Sequence, residues 1–374
     1  MHRREANAAH AVRAVASPRM SSGTPMRSTP DTQLYRIHGL LVKSEVPIDG
    51  VRVDATRRPL LGNPFRARRD KLDYRVVLGD ARDVPQGPPA GTLLAEHAGI
   101  GFWASQSPDE PSRWTLRYSE ICEVTLDRPR RTITVHPSPG AEMGMIPIFL
   151  NGPIFAHVLA MNDQLALHAS AVEVDGRALA ILGSSGSGKS TLAAVLCARG
   201  ARLVSDDTLR VDVSQGRVIC FPGSLAIRLR PGVAELANEL ADAEVQTTAD
   251  GRTAVFPSQV AQGPVRLEAA IVPSIRRHHR RLEVQARNPM DAFVDLLRYP
   301  RLTGWRRGEP IGRLFELTTQ VSELLGVYRA TVPWGPPFVE GLADDLLSVA
   351  GMALPGDSAL GPRARARGEE TARG

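Results

Sequence analysis

Apolar and polar positions alternate in five short segments of the first third of the chain, a pattern typical of half-buried β-strands. Loops rich in glycine and proline separate these segments. We therefore predict a β-rich N-terminal region over residues 31–150. The five segments are QLYRIHGLLVKSEVPI (33–48), DYRVVLGD (73–80), RWTLRYSE (113–120), ICEVTL (121–126) and RTITVHP (131–137).

The pattern changes after residue 150, where helical and extended periods follow one another. NGPIFAHVLAMN predicts a helix with Asn151 as its N-cap. Asp175-Gly176 and Gln215-Gly216 are hairpin turns between apolar runs. We therefore predict a mixed α/β region over 151–354, with later helices at 288–299, 311–327 and 336–352.

The net charge of +6 lies in the two ends of the chain. Residues 1–30 hold five arginines and one glutamate, and residues 361–374 hold four arginines and two glutamates. We interpret 1–30 and 355–374 as disordered tails and expect no nucleic-acid function. The three cysteines are widely spaced, which favours a reducing, cytoplasmic location. The most apolar window, 143–161, is too interrupted to span a membrane.

Residues 183–190 match the phosphate-binding pattern GxxxxGK[ST] in full, between an apolar strand and an apolar helix. Glycines let successive N–H groups turn toward an anion, and the start of the helix adds partial positive charge. The lysine reaches the β- and γ-phosphates, and the serine ligates Mg²⁺. We predict that a nucleotide is bound by Gly183, Ser184, Ser185, Gly186, Ser187, Gly188, Lys189, Ser190 and Thr191.

Two adjacent carboxylates, Asp206 and Asp207, end the strand that follows this helix. A carboxylate at that position is the usual magnesium partner of the lysine loop, and a second one can accept a proton from an attacking hydroxyl. An aspartate-rich turn is the alternative interpretation. We place His168 on the strand before the loop strand, and an isolated histidine is more often structural than catalytic.

The string LHASAVEVDGRALAILGSSGSGKSTLAAVLCARGARLVSDD (167–207) resembles the catalytic core of the HPr kinase/phosphorylase family. The resemblance implies a P-loop kinase core of the HPr kinase/carboxykinase type that uses ATP and Mg²⁺. It implies that Asp207, with Asp206 beside it, is the general base toward an acceptor serine, and that His168 orients this carboxylate. Lys189 would stabilise the transferred phosphoryl group, while Ser190 and Asp207 would hold the metal.

The N-terminal pattern YRIHGLLVKSEVPI is similar to that of HPr-kinase-related proteins encoded with lasso-peptide and similar ribosomal-peptide pathways. This resemblance implies that the partner is a peptide or protein substrate, with the acceptor serine near the C-terminus of a precursor peptide. The sequence leaves a homo-oligomer open.

One departure from the family keeps other functions open. Ala226 stands where the family has a magnesium-binding glutamate. A nucleotide-binding regulatory module without transferase activity is therefore one alternative. A small-molecule phosphotransferase is another, with Arg276 and Arg277 as candidates for binding an organic acid, although we interpret IRRHHRRL as a solvated strand or loop. A transporter-type ATPase is disfavoured, because the aspartates follow the loop too closely and no LSGGQ-like segment follows.

Overall fold

The strands of the N-terminal part form one twisted sheet. The computed structural model describes residues 32–53, 72–97, 101–302, 304–305 and 309–354. All five alternating segments form strands, which confirms that this region is β-rich. The strands are β1 (Gln33–Ile37), β2 (Leu40–Ser44), β3 (Val51–Arg52), β4 (Tyr74–Leu78), β5 (Thr92–His97), β6 (Phe102–Gln106), β7 (Arg113–Tyr118), β8 (Cys122–Asp127) and β9 (Thr132–Pro137). They lie in the order β3-β1-β2-β4-β9-β8-β7-β6-β5.

The helical segment after this sheet begins earlier than the sequence predicts. It comprises α1 (Met145–Phe149), a π-helical turn (Leu150–Ile154) and α2 (Phe155–Met161). Asn151 is not the N-cap; it is buried inside the segment and donates its side-chain N–H to the Pro147 carbonyl. A proline within a helix removes one backbone donor and crowds the preceding turn, and the π-turn accommodates Pro153 there.

A second large sheet forms the centre of the remaining chain. It contains β10 (Leu165–Leu167), β11 (Ala169–Val174), β12 (Arg177–Leu182), β13 (Arg202–Ser205), β14 (Leu209–Ser214) and β15 (Arg217–Cys220), and further along the chain β19 (Val265–Arg276), β20 (Glu283–Ala286) and β21 (Gly326–Pro333). A small separate sheet holds β16 (Ile227–Leu229), β17 (Glu244–Thr247) and β18 (Thr253–Phe256).

Three neighbouring strands of the large sheet, β12, β19 and β21, run parallel. Their carboxyl ends therefore lie at one edge of the sheet, which is where ligands bind in open α/β sheets. Both predicted hairpin turns are present, with positive φ at Asp175, Gly176, Gln215 and Gly216. Positive φ at both central residues is the geometry that matches the twist of a two-residue hairpin.

Helices cover both faces of this sheet. The longer helices are α3 (Lys189–Ala198), α4 (Pro289–Leu297), α5 (Glu309–Leu324) and α6 (Leu342–Ser348), with a 3-10 segment at Pro231–Glu239. Alternate residues of β12 face opposite sides: Leu179 and Ile181 pack with α3 and α6, while Ala180 and Leu182 pack with α4 and α5. The protein is thus a mixed α/β protein, as predicted, although α4 and α6 are shorter than the sequence patterns indicate and α5 ends three residues earlier.

The described residues belong to one unit, which spans Thr32–Gly374. The boundary predicted near residue 150 stays a prediction, and the disorder predicted for 1–30 and 355–374 lies outside the described residues. Helix α2 packs on the N-terminal sheet, where Phe155 and Leu159 join its core. Within the described chain, the helices are too short or too polar to cross a membrane.

Candidate active site

The glycine-rich segment links β12 to α3, as the sequence predicts. Gly186 and Gly188 have φ of 86° and 92°, in the left-handed region that favours glycine, and Gly188 directly precedes α3. The Lys189 ammonium donates to the Ser184 carbonyl at 3.0 Å, so the lysine folds back over the loop. Burial lowers the pKa of Lys189, and the nearby carboxylates of Asp206 and Asp207 oppose that shift.

Ser190, at the start of α3, meets the first carboxylate of the acidic pair. Its hydroxyl lies 2.9 and 3.0 Å from the two oxygens of Asp206. Asp206 is 1% exposed and also accepts from the Ser170 hydroxyl and from the Arg228 backbone N–H. The sequence predicts Ser190 and Asp207 as metal ligands, but the structure places Asp206 against Ser190.

The reason is the direction of the chain after β13. Asp206 continues the extended backbone and pairs with Ser224, so its side chain points to α3. Asp207 then adopts φ of 69°, and its side chain turns to the other side of the chain. Positive φ is uncommon for residues other than glycine, with aspartate among the more tolerant, and it often accompanies functional sites.

Asp207 accepts hydrogen bonds from two partners. The His168 Nε2 atom lies 3.2 Å from one carboxylate oxygen, and the Arg301 guanidinium donates to the other at 2.7 and 3.1 Å. Burial alone would raise the pKa of Asp207, but Arg301, His168 and Arg228 hold it well below its usual range. Asp207 is therefore ionised at neutral pH.

His168 lies at the junction between β10 and β11 rather than within a strand, which corrects the expected placement. Its backbone N–H donates to the Tyr299 carbonyl at 2.8 Å, and its carbonyl accepts from Gly183 at 3.4 Å. Burial lowers the pKa of His168, while the hydrogen bond to Asp207 opposes this shift. A neutral imidazole that donates from Nε2 to Asp207 fits these surroundings.

The cleft over the loop has a volume of about 540 Å³ and is rich in arginine. Arg230 and Arg252, which line the cleft, and Arg301, which contacts Asp207, come from distant segments with no local motif, so the sequence analysis did not identify them. Arg277 is exposed, as expected of a solvated strand or loop, and it also lines the cleft. The lining is His168, Ser185, Gly186, Gly188, Lys189, Ser190, Thr191, Asp207, Arg228, Arg230, Gly232, Val233, Arg252, Arg277, Trp334, Gly335 and Pro336.

Asp49, in the N-terminal part of the chain, contacts the segment that pairs with Asp206. The Asp49 backbone N–H donates to the Asn151 side chain, and the Asp49 carbonyl accepts from Leu225. The Ser224 hydroxyl lies 3.4 Å from the Asp49 carboxylate. Burial raises the pKa of Asp49 to about 6, against the opposing effects of Arg228 and Ser224.

The residues present suit a magnesium ion that keeps several waters. Ser190 and Asp206 offer a hydroxyl and a carboxylate oxygen, and oxygen is the ligand type that Mg²⁺ prefers. Proteins usually bind Mg²⁺ through only one or two carboxylates. In the part of the chain that the structure describes, no group of three or more His, Cys, Asp and Glu side chains is arranged to hold a metal. The ligands would therefore be shared with water and nucleotide.

Comparisons with known proteins agree with this picture over part of the chain. No protein-family model matches. The chain is 38% identical over 84 residues to the HPr kinase/phosphorylase of Lactobacillus gasseri, a match that covers 20% of this chain and 26% of that protein. The chain thus matches about a quarter of the length of this curated relative.

A solved structure, the Hpr(Ser) kinase/phosphatase from Coxiella burnetii, aligns with 46% of this chain and 87% of its own. The identity is 12% and the TM-score 0.25. The sequence match therefore carries the assignment: this mixed α/β protein contains a region similar to part of an HPr kinase/phosphorylase.

Proposed function

We propose that this protein is an ATP-dependent kinase that transfers the γ-phosphoryl group to a serine or threonine hydroxyl of a peptide or protein. The observation that carries the proposal is the placement of Asp207 and His168 in the same cleft as Lys189 and Ser190. The sequence similarity to an HPr kinase/phosphorylase supports it. The resemblance to ribosomal-peptide kinases favours a precursor peptide as the acceptor.

Phosphoryl transfer depends on positioning and on neutralising charge more than on covalent chemistry. In the proposed complex, Ser190 and Asp206 would hold Mg²⁺, and the ion would supply positive charge next to the phosphate oxygens. The backbone N–H groups of the loop bind the phosphates, and Lys189 moves from the Ser184 carbonyl to the transferred group. Arg228 and Arg252 add positive charge on the same side of the cleft.

Asp207 orients the acceptor hydroxyl and takes its proton. Arg301 and His168 keep the carboxylate ionised, so it is available as an acceptor at neutral pH. The same contacts make it a weak base. A loose, largely dissociative transition state needs little proton transfer before the phosphorus–oxygen bond breaks, so a weak base is sufficient. Arg301 is a positioning residue, because it acts through Asp207.

The test is phosphate transfer from Mg-ATP to a panel of serine- and threonine-containing peptides, read as a one-phosphate gain in mass. Asp207→Asn should reduce transfer by about 10²- to 10⁴-fold, because the variant loses both the orientation of the acceptor hydroxyl and the final acceptor of its proton. Asparagine tolerates positive φ as aspartate does, so the backbone is preserved. Asp242→Asn is a matched control, since Asp242 is exposed and has φ of 56°.

The outcomes separate the candidate functions. Transfer by wild type and by Asp242→Asn, together with loss in Asp207→Asn, supports the kinase. Transfer by Asp207→Asn at the wild-type rate would show that the base is assigned incorrectly. Nucleotide binding with no transfer to any acceptor would instead favour a regulatory module.

A further inference from the structure

An aromatic side chain stands at the end of the cleft away from the acidic pair. Trp334 follows β21, and its backbone N–H donates to the Arg276 carbonyl at the end of β19, at 3.1 Å. Because β12, β19 and β21 are parallel, this places the tryptophan at the same sheet edge as the phosphate-binding loop. Trp334 is half-buried and lines the cleft.

The indole is fixed against the loop itself. A Cβ atom placed on Gly188 would lie 2.8 Å from both the Cη2 and Cζ3 atoms of Trp334, so the six-membered ring covers the glycine directly before α3. Phe338 supports the indole from the side, with ring centroids 5.5 Å apart and planes at 85°. The ring is therefore held between the glycine that precedes α3 and Phe338.

The sheet order separates Trp334 from the acidic pair. Trp334 follows β21 and the acidic pair follows β13, and these strands lie on opposite sides of β12, two places from it in each direction. Val233 and Pro336 line the same cleft with Arg230 and Arg277.

A nucleotide also has two unlike ends, because its charged phosphates continue into a flat, weakly polar base. Lys189 and Ser190 fix the phosphate end of the proposed ligand, and Trp334, which covers Gly188, is an aromatic side chain in the same cleft on the side away from the acidic pair.

We infer that Trp334 forms the nucleobase subsite, in which the indole stacks on the purine and Val233 and Pro336 contact its edges. This inference rests on the proposed function, because it requires that the loop binds a nucleoside triphosphate. Stacking discriminates little between different bases, because every base has a π-face. The subsite therefore accepts ATP and GTP with similar affinities and favours purines over pyrimidines, which offer less area.

The test compares Mg-ATP with Mg-tripolyphosphate, which carries the phosphates without a base. Dissociation constants are measured by titration calorimetry for wild type, Trp334→Leu and Trp334→Phe. Trp334→Leu should weaken ATP binding by about tenfold to a hundredfold, the usual loss when a stacked aromatic is removed. Tripolyphosphate binding should stay within about twofold of wild type, because the phosphate contacts come from the loop. Trp334→Phe should restore most of the ATP affinity.

A fluorescence measurement gives an independent readout. ATP should quench tryptophan emission of wild type, while tripolyphosphate should not. Trp334→Phe should lose that quenching, although the other three tryptophans remain. Thermal melting of each variant without ligand identifies any loss of folding, and if Trp334→Leu does not fold, the loss of ATP quenching in Trp334→Phe carries the comparison.

Different results would overturn the nucleobase subsite and the proposed function. Equal losses for ATP and tripolyphosphate in Trp334→Leu would overturn the subsite, since the indole would then only support the loop. Equal ATP affinity in wild type and Trp334→Leu would also overturn it. Binding of neither ligand by wild type would overturn the nucleotide site and the subsite together.

Discussion

Replacement of Asp206 by asparagine tests which carboxylate of the acidic pair serves the metal. Asp206 is 1% exposed and lies 2.9 and 3.0 Å from the Ser190 hydroxyl. Asp207 faces His168 and Arg301 instead. We therefore expect Asp206→Asn to weaken magnesium-dependent ATP binding and Asp207→Asn to leave it intact.

The magnitude follows from the contacts of the Asp206 carboxylate. Loss of a group that only supports a metal ligand already costs about 10- to 100-fold in metal affinity, or about 1.4–2.7 kcal/mol, so the loss of Asp206 as a ligand should cost at least as much. Asparagine also places an amide N–H₂ where the carboxylate accepts from Ser190, Ser170 and the Arg228 N–H. At least one of these donors then loses its acceptor, which should cost about 1–3 kcal/mol of folding stability.

The assay is titration calorimetry of ATP in the presence of Mg²⁺ and, separately, of a chelator. The ratio of the two dissociation constants isolates the contribution of the metal from that of the loop. Asp206→Asn should reduce this ratio toward one, while Asp207→Asn should keep the wild-type ratio. Urea unfolding of both variants measures the stability cost separately.

The opposite pattern would refute this reasoning. If Asp207→Asn removed the magnesium effect and Asp206→Asn kept it, Asp207 would be the metal ligand, as the sequence alone predicts. The hydrogen bonds between Ser190 and Asp206 would then belong only to the state without nucleotide.

Two further predictions concern stability. The pKa of Asp49 is raised by burial from 3.8 to about 6, so the folded state binds more protons than the unfolded state in this range and wild-type stability falls as pH rises through it. The Asp49→Asn variant should therefore be more stable than wild type by up to ~3 kcal/mol near neutral pH in denaturant unfolding and should show a flatter pH profile. A profile parallel to that of wild type would contradict this expectation, and Asp83→Asn, at an exposed position, is the control. Asp295 is fully buried and accepts hydrogen bonds from Arg287 and Arg329 at 3.1 and 3.0 Å. Asp295→Ala should therefore lower the free energy of unfolding by about 2–4 kcal/mol. This loss is at the lower end for a broken buried ion pair, because Arg329 reaches water. Asp291→Ala is the exposed control and should cost less than about 1 kcal/mol; equal midpoints in urea for the two variants would show that the buried pair contributes nothing.

Much of the fold could be predicted because its signals are local. Alternating apolar positions identified strands in the N-terminal sheet, and dipeptides such as Asp175-Gly176 identified hairpins, since positive φ at both positions suits few residue types. The helix before β10 was placed incorrectly at its start. Asn151 has the chemistry of an N-cap, but burial and the contact with Asp49 place it inside the helical segment.

The sequence alone predicted a phosphate-binding loop, because its glycines, lysine and serine must follow one another directly to form a nest at a helix start. The family resemblance also implied that His168 and the acidic pair lie together, and the structure places His168 Nε2 3.2 Å from an Asp207 oxygen. Only the tertiary structure decided that Asp206 faces Ser190 while Asp207 faces Arg301, since a single positive φ turns the two side chains apart. The tertiary structure likewise brought together the arginines and Trp334, which are far apart in the chain. Arg277 and Trp334 follow neighbouring parallel strands, whereas Arg228, Arg230 and Arg252 come from the small antiparallel sheet and the loops beside it.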